Sequence, residues 1–221
     1  PEHVIDELEH LVNRYGIREV QFFDDIFTFE RERIVTLCNL IEERELDITW
    51  TCQTRVNHVD EELLRMMKKA GCFSIGFGIE SGDREISKSM KKGLNFQKAK
   101  DVMNICRKLG IETRAFFILG MIGETLKSIN NTIRLAIDLN PDYAGFNIAM
   151  PLPGTELYKE TVKQGRMLYE EKVMYDLCSG EIPLIRLDDM TGDELLTHYK
   201  RAYAAFYKRP RFFINKLMRV I

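Results

Sequence analysis

Nothing in the sequence pairs its cysteines. The 221 residues include 5 Cys, and Cys38, Cys52, Cys72, Cys106 and Cys178 stand too far apart for metal-ligand, redox-motif or disulfide-framework spacing. They read as buried free thiols of a reducing compartment. Long apolar runs are missing too. The longest stretches without a charged residue, Tyr143 to Thr155 and Ala115 to Gly123, fall well short of the roughly 20 residues a spanning helix needs. No membrane span is expected. Neither sign of charge dominates, with 32 Lys+Arg against 34 Asp+Glu, so no global pull toward nucleic acid or an anionic membrane exists. With 6 Pro and 14 Gly the chain is neither collagenous nor low-complexity. The start, Pro1-Glu2-His3-Val4, has no basic region, apolar run or cleavage site, which makes the cytoplasm the expected location. What is present is an ordinary globular composition, 45% hydrophobic and 30% charged, with length for one sizeable core.

Apolar spacing organises the chain. Val4, Ile5, Leu8, Leu11, Val12 and Tyr15 recur at helical spacing before Gly16, and Ile17 to Phe23 reads as a strand. Ile34, Leu37, Cys38 and Ile41 mark the next helix, Ile48 to Cys52 the next strand, and Leu63, Leu64 and Met67 a helix ending at Gly71. Cys72 to Ile79 is a third strand. Asn95 is an N-cap for a helix bearing Ala99, Val102, Cys106 and Leu109, closed by Gly110 before a strand from Ile111 to Leu119. Leu126, Ile129, Ile133 and Ala136 form a further helix that Asn140-Pro141 stops before the strand Tyr143 to Ala149. Helices and strands alternating with short loops predict an α/β class with a parallel sheet. After Gly154 the strand pattern lapses, and a helix from Gly192 to about Tyr207 is expected. The alternation opens on a helix without a strand before it, which suggests a missing first strand. The tail carries Lys200, Arg201, Lys208, Arg209, Arg211, Lys216 and Arg219 without an acid, either a solvated face or a contact for an acidic partner.

In parallel α/β folds a ligand sits beyond the carboxyl ends of the strands. Five consecutive strand ends there are polar or glycine-rich: Asp24-Asp25, then Gln53 and Arg55, then Gly78-Ile79-Glu80-Ser81-Gly82, then Gly120-Met121-Ile122-Gly123-Glu124, then Asn147 before Met150-Pro151-Leu152-Pro153-Gly154. Each alone has a structural reading as turn, cap or loop start. Together, carboxylates suit an amine and vicinal hydroxyls, Lys92 or Arg55 suits a carboxylate, and glycines admit a flat ring. That set describes an amino-acid nucleoside. His58 reads as loop surface or proton carrier; His3, His10 and His198 read as solvated.

These motifs, with Phe22-Phe23-Asp24-Asp25-Ile26-Phe27, Asp60-Glu61-Glu62-Leu63-Leu64, Ala70-Gly71-Cys72, Met90-Lys91-Lys92-Gly93, Pro151-Leu152-Pro153-Gly154-Thr155 and Phe206-Tyr207-Lys208-Arg209-Pro210, resemble radical SAM enzymes. The nearest group is the cobalamin-binding type that includes anaerobic magnesium-protoporphyrin IX monomethyl ester cyclase-like proteins. The resemblance implies an incomplete TIM-like (β/α)6 barrel, here lacking its first strand, over 1–154, with 155–221 as a helical C-terminal cover of the same domain. It implies S-adenosylmethionine cleaved reductively at a 4Fe-4S cluster, with Asp24 and Asp25 at the methionyl amine, Glu80 at the ribose, Lys92 at the methionyl carboxylate, and Ile118, Gly120 and Gly123 beside adenine.

Departures from the family pattern are plain. No CxxxCxxC loop is present, Phe116 stands where the family has Gly, and Ile122 where it has Pro. The chain therefore resembles a fragment that starts after the cluster loop, inactive alone, with no metal ligand or catalytic group of its own to assign. Cluster ligands and any cobalamin module are expected in an upstream domain of the same polypeptide; an electron donor and a small-molecule substrate are the expected partners. Two rivals remain: a non-catalytic barrel that acts as a binding module, and a two-carboxylate enzyme built on Asp24, Asp25 and Glu80. Methyl transfer, ring closure and sulfur insertion stay equally open as reaction types.

Overall fold

Fourteen residues from Glu2 to Tyr15 put Ile5 and Leu8 on one buried face and end where Gly16 turns left-handed, φ 68°. This helix, α1, opens a computed structural model that describes residues 1–91, 93–169, 181–210 and 212–213. In chain order follow β1 (Glu19–Gln21), α2 (Arg31–Glu43), β2 (Thr49–Thr54), a 3-10 turn (Val56–His58), α3 (Glu61–Lys69) and β3 (Cys72–Glu80). Then come α4 (Arg84–Ser89), α5 (Phe96–Leu109), β4 (Glu112–Leu119), α6 (Leu126–Leu139), β5 (Tyr143–Ile148), α7 (Glu156–Lys163) and α8 (Gly192–Tyr207). The five parallel strands form one sheet in the order β1-β2-β3-β4-β5. Val20 pairs with Trp50 and Cys52 with Ile75, with a bulge between Trp50 and Thr51. Sequential parallel order with a helix after each strand is the arrangement of a partial (β/α) barrel, the α/β class expected.

The chain divides into two compact units, Pro1–Ile79 with Leu94–Ala115, and Glu80–Gly93 with Phe116–Ile221. In the first, Trp50 is fully buried and its indole N–H donates to the Ala70 carbonyl at 2.7 Å, so the one Trp has its polar atom satisfied. Phe22 and Phe27 stack on each other at 4.6 Å and meet the Trp50 ring at 5.5 Å. Ile34, Leu37, Leu63, Leu64 and Met67 close this core from α2 and α3, each burial worth about 1.5–3 kcal/mol.

In the second unit Thr125 and Ser128 form a reciprocal capping box at the start of α6, and Asn140 ends that helix at φ 48°, ahead of Pro141. Helix α8 packs on α6 and β5. The Tyr203 hydroxyl donates to the Phe146 carbonyl at 3.0 Å and accepts its N–H at 3.1 Å; Tyr207 does the same for Ala144, at 2.8 and 3.1 Å. Because β5 ends the strand order, these hydroxyls stand where another strand's backbone would.

β4 and β5 are each one residue shorter than the sequence predicts, and β1 is four shorter. Ile17 to Phe23 contracts to Glu19–Gln21, since the Ile17 N–H bonds the Leu11 carbonyl as part of the helix cap, while Phe23 has left the sheet and is 80% exposed.

Candidate functional site

The carboxylates after β1 sit on a loop tied down at both ends. Phe22 N–H donates to the Thr51 carbonyl and Phe27 N–H to the Gln53 carbonyl, both at 2.9 Å, and Thr28 and Thr54 share a buried hydroxyl contact of 2.5 Å. Between these anchors Asp24 pairs with Arg33 of α2 at 3.2 Å, and Asp25 is exposed with no hydrogen bond or ion pair among the described residues. Neither caps a helix; the N-cap of α2 is Glu30, which makes no side-chain cap hydrogen bond. Two anionic groups are thus held outward by a braced loop, Asp25 being open to a cation. Arg55, half-buried just after β2, likewise has no ion-pair partner among the described residues.

Glu80 ends β3 at φ 67° and is 9% exposed. A left-handed conformation at a buried non-glycine residue stores strain and persists where its surroundings enforce it. Those surroundings are visible. Gly82 N–H donates to the Thr132 hydroxyl at 2.9 Å, Ser81 meets the same hydroxyl at 3.3 Å, and Asn131 donates to Asp83 at 3.0 Å. A Cβ on Gly82 would lie 2.4 Å from the Asn131 carbonyl oxygen, so only glycine lets this loop lie on α6. Asp83 also caps α4 through the Glu85 and Ile86 amides. Ser81-Gly82 are therefore structural, and they fix the direction in which Glu80 leaves the strand.

At the end of β4, Gly120 takes φ 85° and its space is filled: an added Cβ would lie 2.7 Å from a methyl of Leu195 on α8. Helix packing thus accounts for this glycine. Gly123, φ 82°, is exposed with nothing near it. The unforeseen residue is Glu124, 2% exposed. It accepts the Gly120 N–H at 3.0 Å and the Met121 N–H at 3.4 Å on one oxygen, and the Ser128 hydroxyl at 2.8 Å on the other. Burial raises its carboxyl above the usual range, with these hydrogen bonds pulling the other way. Its position, four residues after Gly120 in a turn, was the only signal for it. Ile118 lines a cavity of about 800 Å³ within this unit. Lys92 lies outside the described residues.

Metal ligands are a different matter. Cys38, Cys52, Cys72 and Cys106 are buried and form no disulfide, and Cys178 lies outside the described residues. Burial pushes the Cys38 thiol up to about 12 and Cys72 well above its usual value, whereas a metal ligand must be thiolate. Among the described residues no group of three His, Cys, Asp or Glu side chains can hold a metal ion. The described cysteines therefore do not fit an iron-sulfur cluster. In the tail, Arg201 donates to Asn130, and Arg209 lies 4.0 Å over the Phe206 ring and donates to the Ile137 carbonyl; Arg211, Lys216 and Arg219 lie outside the described residues. His58 packs against Phe29 at 5.6 Å. Among the described residues no helix is long and apolar enough to cross a membrane.

Comparison with known proteins gives these strand ends a context. An uncharacterised methyltransferase of Pyrococcus horikoshii is 34% identical over 216 residues, 98% of this chain and 46% of that protein. The anaerobic magnesium-protoporphyrin IX monomethyl ester cyclase of Rubrivivax gelatinosus is 29% identical over 98% of this chain and 37% of its own length. The chain spans between about a third and a half of the curated relatives it matches. Among solved structures, the radical S-adenosylmethionine methyltransferase TsrM of Kitasatospora setae, with cobalamin and a 4Fe-4S cluster bound, superposes with a TM-score of 0.67 at 22% identity. The match covers 74% of this chain and 33% of that one, a likeness of fold. The Radical SAM superfamily model matches residues 1–136, through the strands that end in Asp24-Asp25, Glu80 and Gly120. By that match, which takes in more than half its length, the chain belongs to the radical SAM superfamily.

Proposed function

We propose that residues 1–221 supply the S-adenosylmethionine-binding part of a radical SAM enzyme whose cluster cysteines lie in another part of the polypeptide. The observation that carries this reading is Glu80: a strained, nearly buried carboxylate held at the end of β3 by a loop that is clamped onto α6 through Thr132 and Asn131. In this reading Glu80 accepts the ribose hydroxyls, and Asp24 and Asp25 take the methionyl ammonium. Lys92, or Arg55, meets the methionyl carboxylate, and Ile118, Gly120 and Gly123 belong beside adenine. The donor set fits, because carboxylates bind ammonium and vicinal hydroxyls and a guanidinium binds carboxylate. Once bound, the sulfonium cosubstrate supplies the family's one-electron cleavage chemistry.

The chain's own part is positioning. The braced loop orients Asp24 and Asp25, and Glu124 anchors the turn that follows Ile118. The described cysteines do not replace the cluster ligands, so 1–221 alone is expected to be inactive. Residues 155–221 are assigned as the C-terminal cover, and electron donor, substrate and cobalamin as properties of the whole polypeptide.

The test is equilibrium dialysis of labelled S-adenosylmethionine against the full-length protein under anaerobic conditions. Glu80→Gln, and Asp24→Asn with Asp25→Asn, should each weaken binding about tenfold or more, since hydrogen bonds to charged groups contribute about 1.5–3 kcal/mol. Affinities within twofold of the parent, with melting unchanged, would leave the non-catalytic module as the better reading.

A further inference from the structure

Two loops of the second unit meet on one helix. The loop after β3, which carries Glu80, and the turn after β4, which holds Gly120, both reach the start of α6, where Ser128, Asn131 and Thr132 share a face by their i, i+3, i+4 spacing. Hydrogen bonds run from one loop to the other without a gap. Gly82 N–H donates to the Thr132 hydroxyl at 2.9 Å, and that hydroxyl places its own proton on the Ser128 carbonyl at 3.1 Å. The Ser128 hydroxyl donates to one Glu124 oxygen at 2.8 Å, and the other oxygen accepts the Gly120 N–H at 3.0 Å. Ser128 thus stands in the middle, its carbonyl toward the β3 loop and its hydroxyl toward the β4 turn. The Thr125 N–H, donating to that hydroxyl at 2.9 Å, holds it in place.

Glu124, Ser128 and Thr132 are all buried. Packing alone would be served there by apolar side chains, as Ile129, Ile133 and Ala136 serve it along the same helix. What a satisfied buried polar chain adds is a single geometry, because moving any member leaves a donor or acceptor unmet away from water. A shift of the β3 loop therefore strains the bonds of the β4 turn, and the reverse. Residues in one hydrogen-bond network are also those whose substitutions fail to add.

We infer that Ser128 is a positioning residue, coupling the ribose end of the site at Glu80 to the adenine end at Ile118 and Gly120 so that S-adenosylmethionine meets both as one preset unit. It acts through Thr132 and Glu124, not on the ligand. This deepens the radical SAM reading and rests on it. The test is competition against labelled S-adenosylmethionine on the full-length protein under anaerobic conditions, with S-adenosylmethionine, adenine and methionine as competitors. Ser128→Ala and Thr132→Val break the chain at two points, and each should weaken S-adenosylmethionine about three- to tenfold, the scale of one hydrogen bond. Adenine is the diagnostic probe. Thr132→Val, on the ribose side, should weaken adenine by about threefold or more while methionine stays within about twofold. The double variant should lose little more than the worse single one, since a chain already broken has no coupling left to lose. Tyr203→Phe, which removes buried hydrogen bonds of β5 instead, should leave all three affinities within about twofold, which separates positioning from a loss of stability.

An adenine affinity unmoved by Thr132→Val, or a double variant whose loss is the product of the two single losses, overturns the coupling. Methionine weakened as much as adenine, or a Tyr203→Phe variant that weakens all three, overturns the positioning role in favour of a general structural one. Should Ser128→Ala fail to fold, the adenine result with Thr132→Val still decides. A parent protein that binds no S-adenosylmethionine sinks the radical SAM reading and this inference with it, whereas a parent that binds it while the losses multiply sinks the inference alone.

Discussion

Replacing Glu124 separates its hydrogen bonds from its charge. Its two oxygens accept the Gly120 and Met121 amides and the Ser128 hydroxyl. In Glu124→Ala the hydroxyl can fall back on the Thr125 carbonyl, which it already reaches at 2.8 Å, but two backbone amides lose their acceptor. Each unsatisfied donor costs about 1–3 kcal/mol. The Met121 bond is the longer, at 3.4 Å, so about 3 kcal/mol is expected, or roughly 6–12 °C in Tm for a chain of this size. In Glu124→Gln the amide oxygen keeps both backbone donors and the NH2 turns to Ser128, so the loss should stay within about 1 kcal/mol. The charge is read from pH. Burial raises the folded-state pKa of Glu124 above its unfolded value, so the folded state binds the proton more tightly. Its contribution is fully present below the unfolded value and is lost as pH rises through the folded one. Urea titrations of parent and Glu124→Gln, run from below the ordinary carboxylate pKa of about 4.3 to neutrality and above, isolate this group. The parent's stability relative to Glu124→Gln should fall as pH rises. A flat or rising difference, or a Gln variant as unstable as Ala, refutes the assignment of Glu124 as a buried acceptor with a raised pKa.

Two glycines predict opposite outcomes. Gly82→Ala should cost about 3 kcal/mol or more, or prevent folding, because its Cβ meets the Asn131 backbone; Gly123→Ala, strained in φ but with open space, should cost about 1 kcal/mol. Equal melting temperatures for the two would contradict the packing described. Tyr203→Phe and Tyr207→Phe each remove the hydroxyl that serves both backbone groups of one β5 residue, at about 1–3 kcal/mol apiece. The double variant should also self-associate on size-exclusion chromatography through its freed edge, and a monodisperse double variant of parental stability would show that the hydroxyls do not cap the sheet.

Much of the fold is legible in residues whose backbone demands are local. Gly16 and Gly110 take the left-handed cap the spacing predicts, Asn140 joins them at φ 48°, and Asn95 caps α5 through Lys98 N–H. Helix α8 spans the expected Gly192–Tyr207. Misreadings occur where a local pattern shares its residues with a neighbour. Ile17 looks like a strand residue by type, yet its amide is spent on the α1 cap. The six residues of α4 carry too little apolar periodicity to announce a helix, and only the Asp83 cap would have given it away.

The candidate site divides along the same physical line. Carboxylates at strand ends are visible by type, because an acid next to an apolar strand contrasts with its surroundings. What a buried acid does is invisible when its partners are backbone amides, which look alike in every sequence; hence Glu124 passes for part of a loop motif. Gly120 shows the complementary failure. Glycine after a strand invites the idea of room for a flat ligand, but the atom that needs the room belongs to Leu195, 75 positions along the chain. Glu80 lies between these cases. Its carboxylate is legible, while its left-handed backbone arises from the clamp of Gly82 and Asp83 on Thr132 and Asn131, residues that no spacing rule connects. Strain held by such a distant clamp is easily released. Thr132→Val, which removes the hydroxyl from Gly82 N–H and Ser81 while keeping the volume, should therefore weaken cosubstrate binding through Glu80 without touching the ligand.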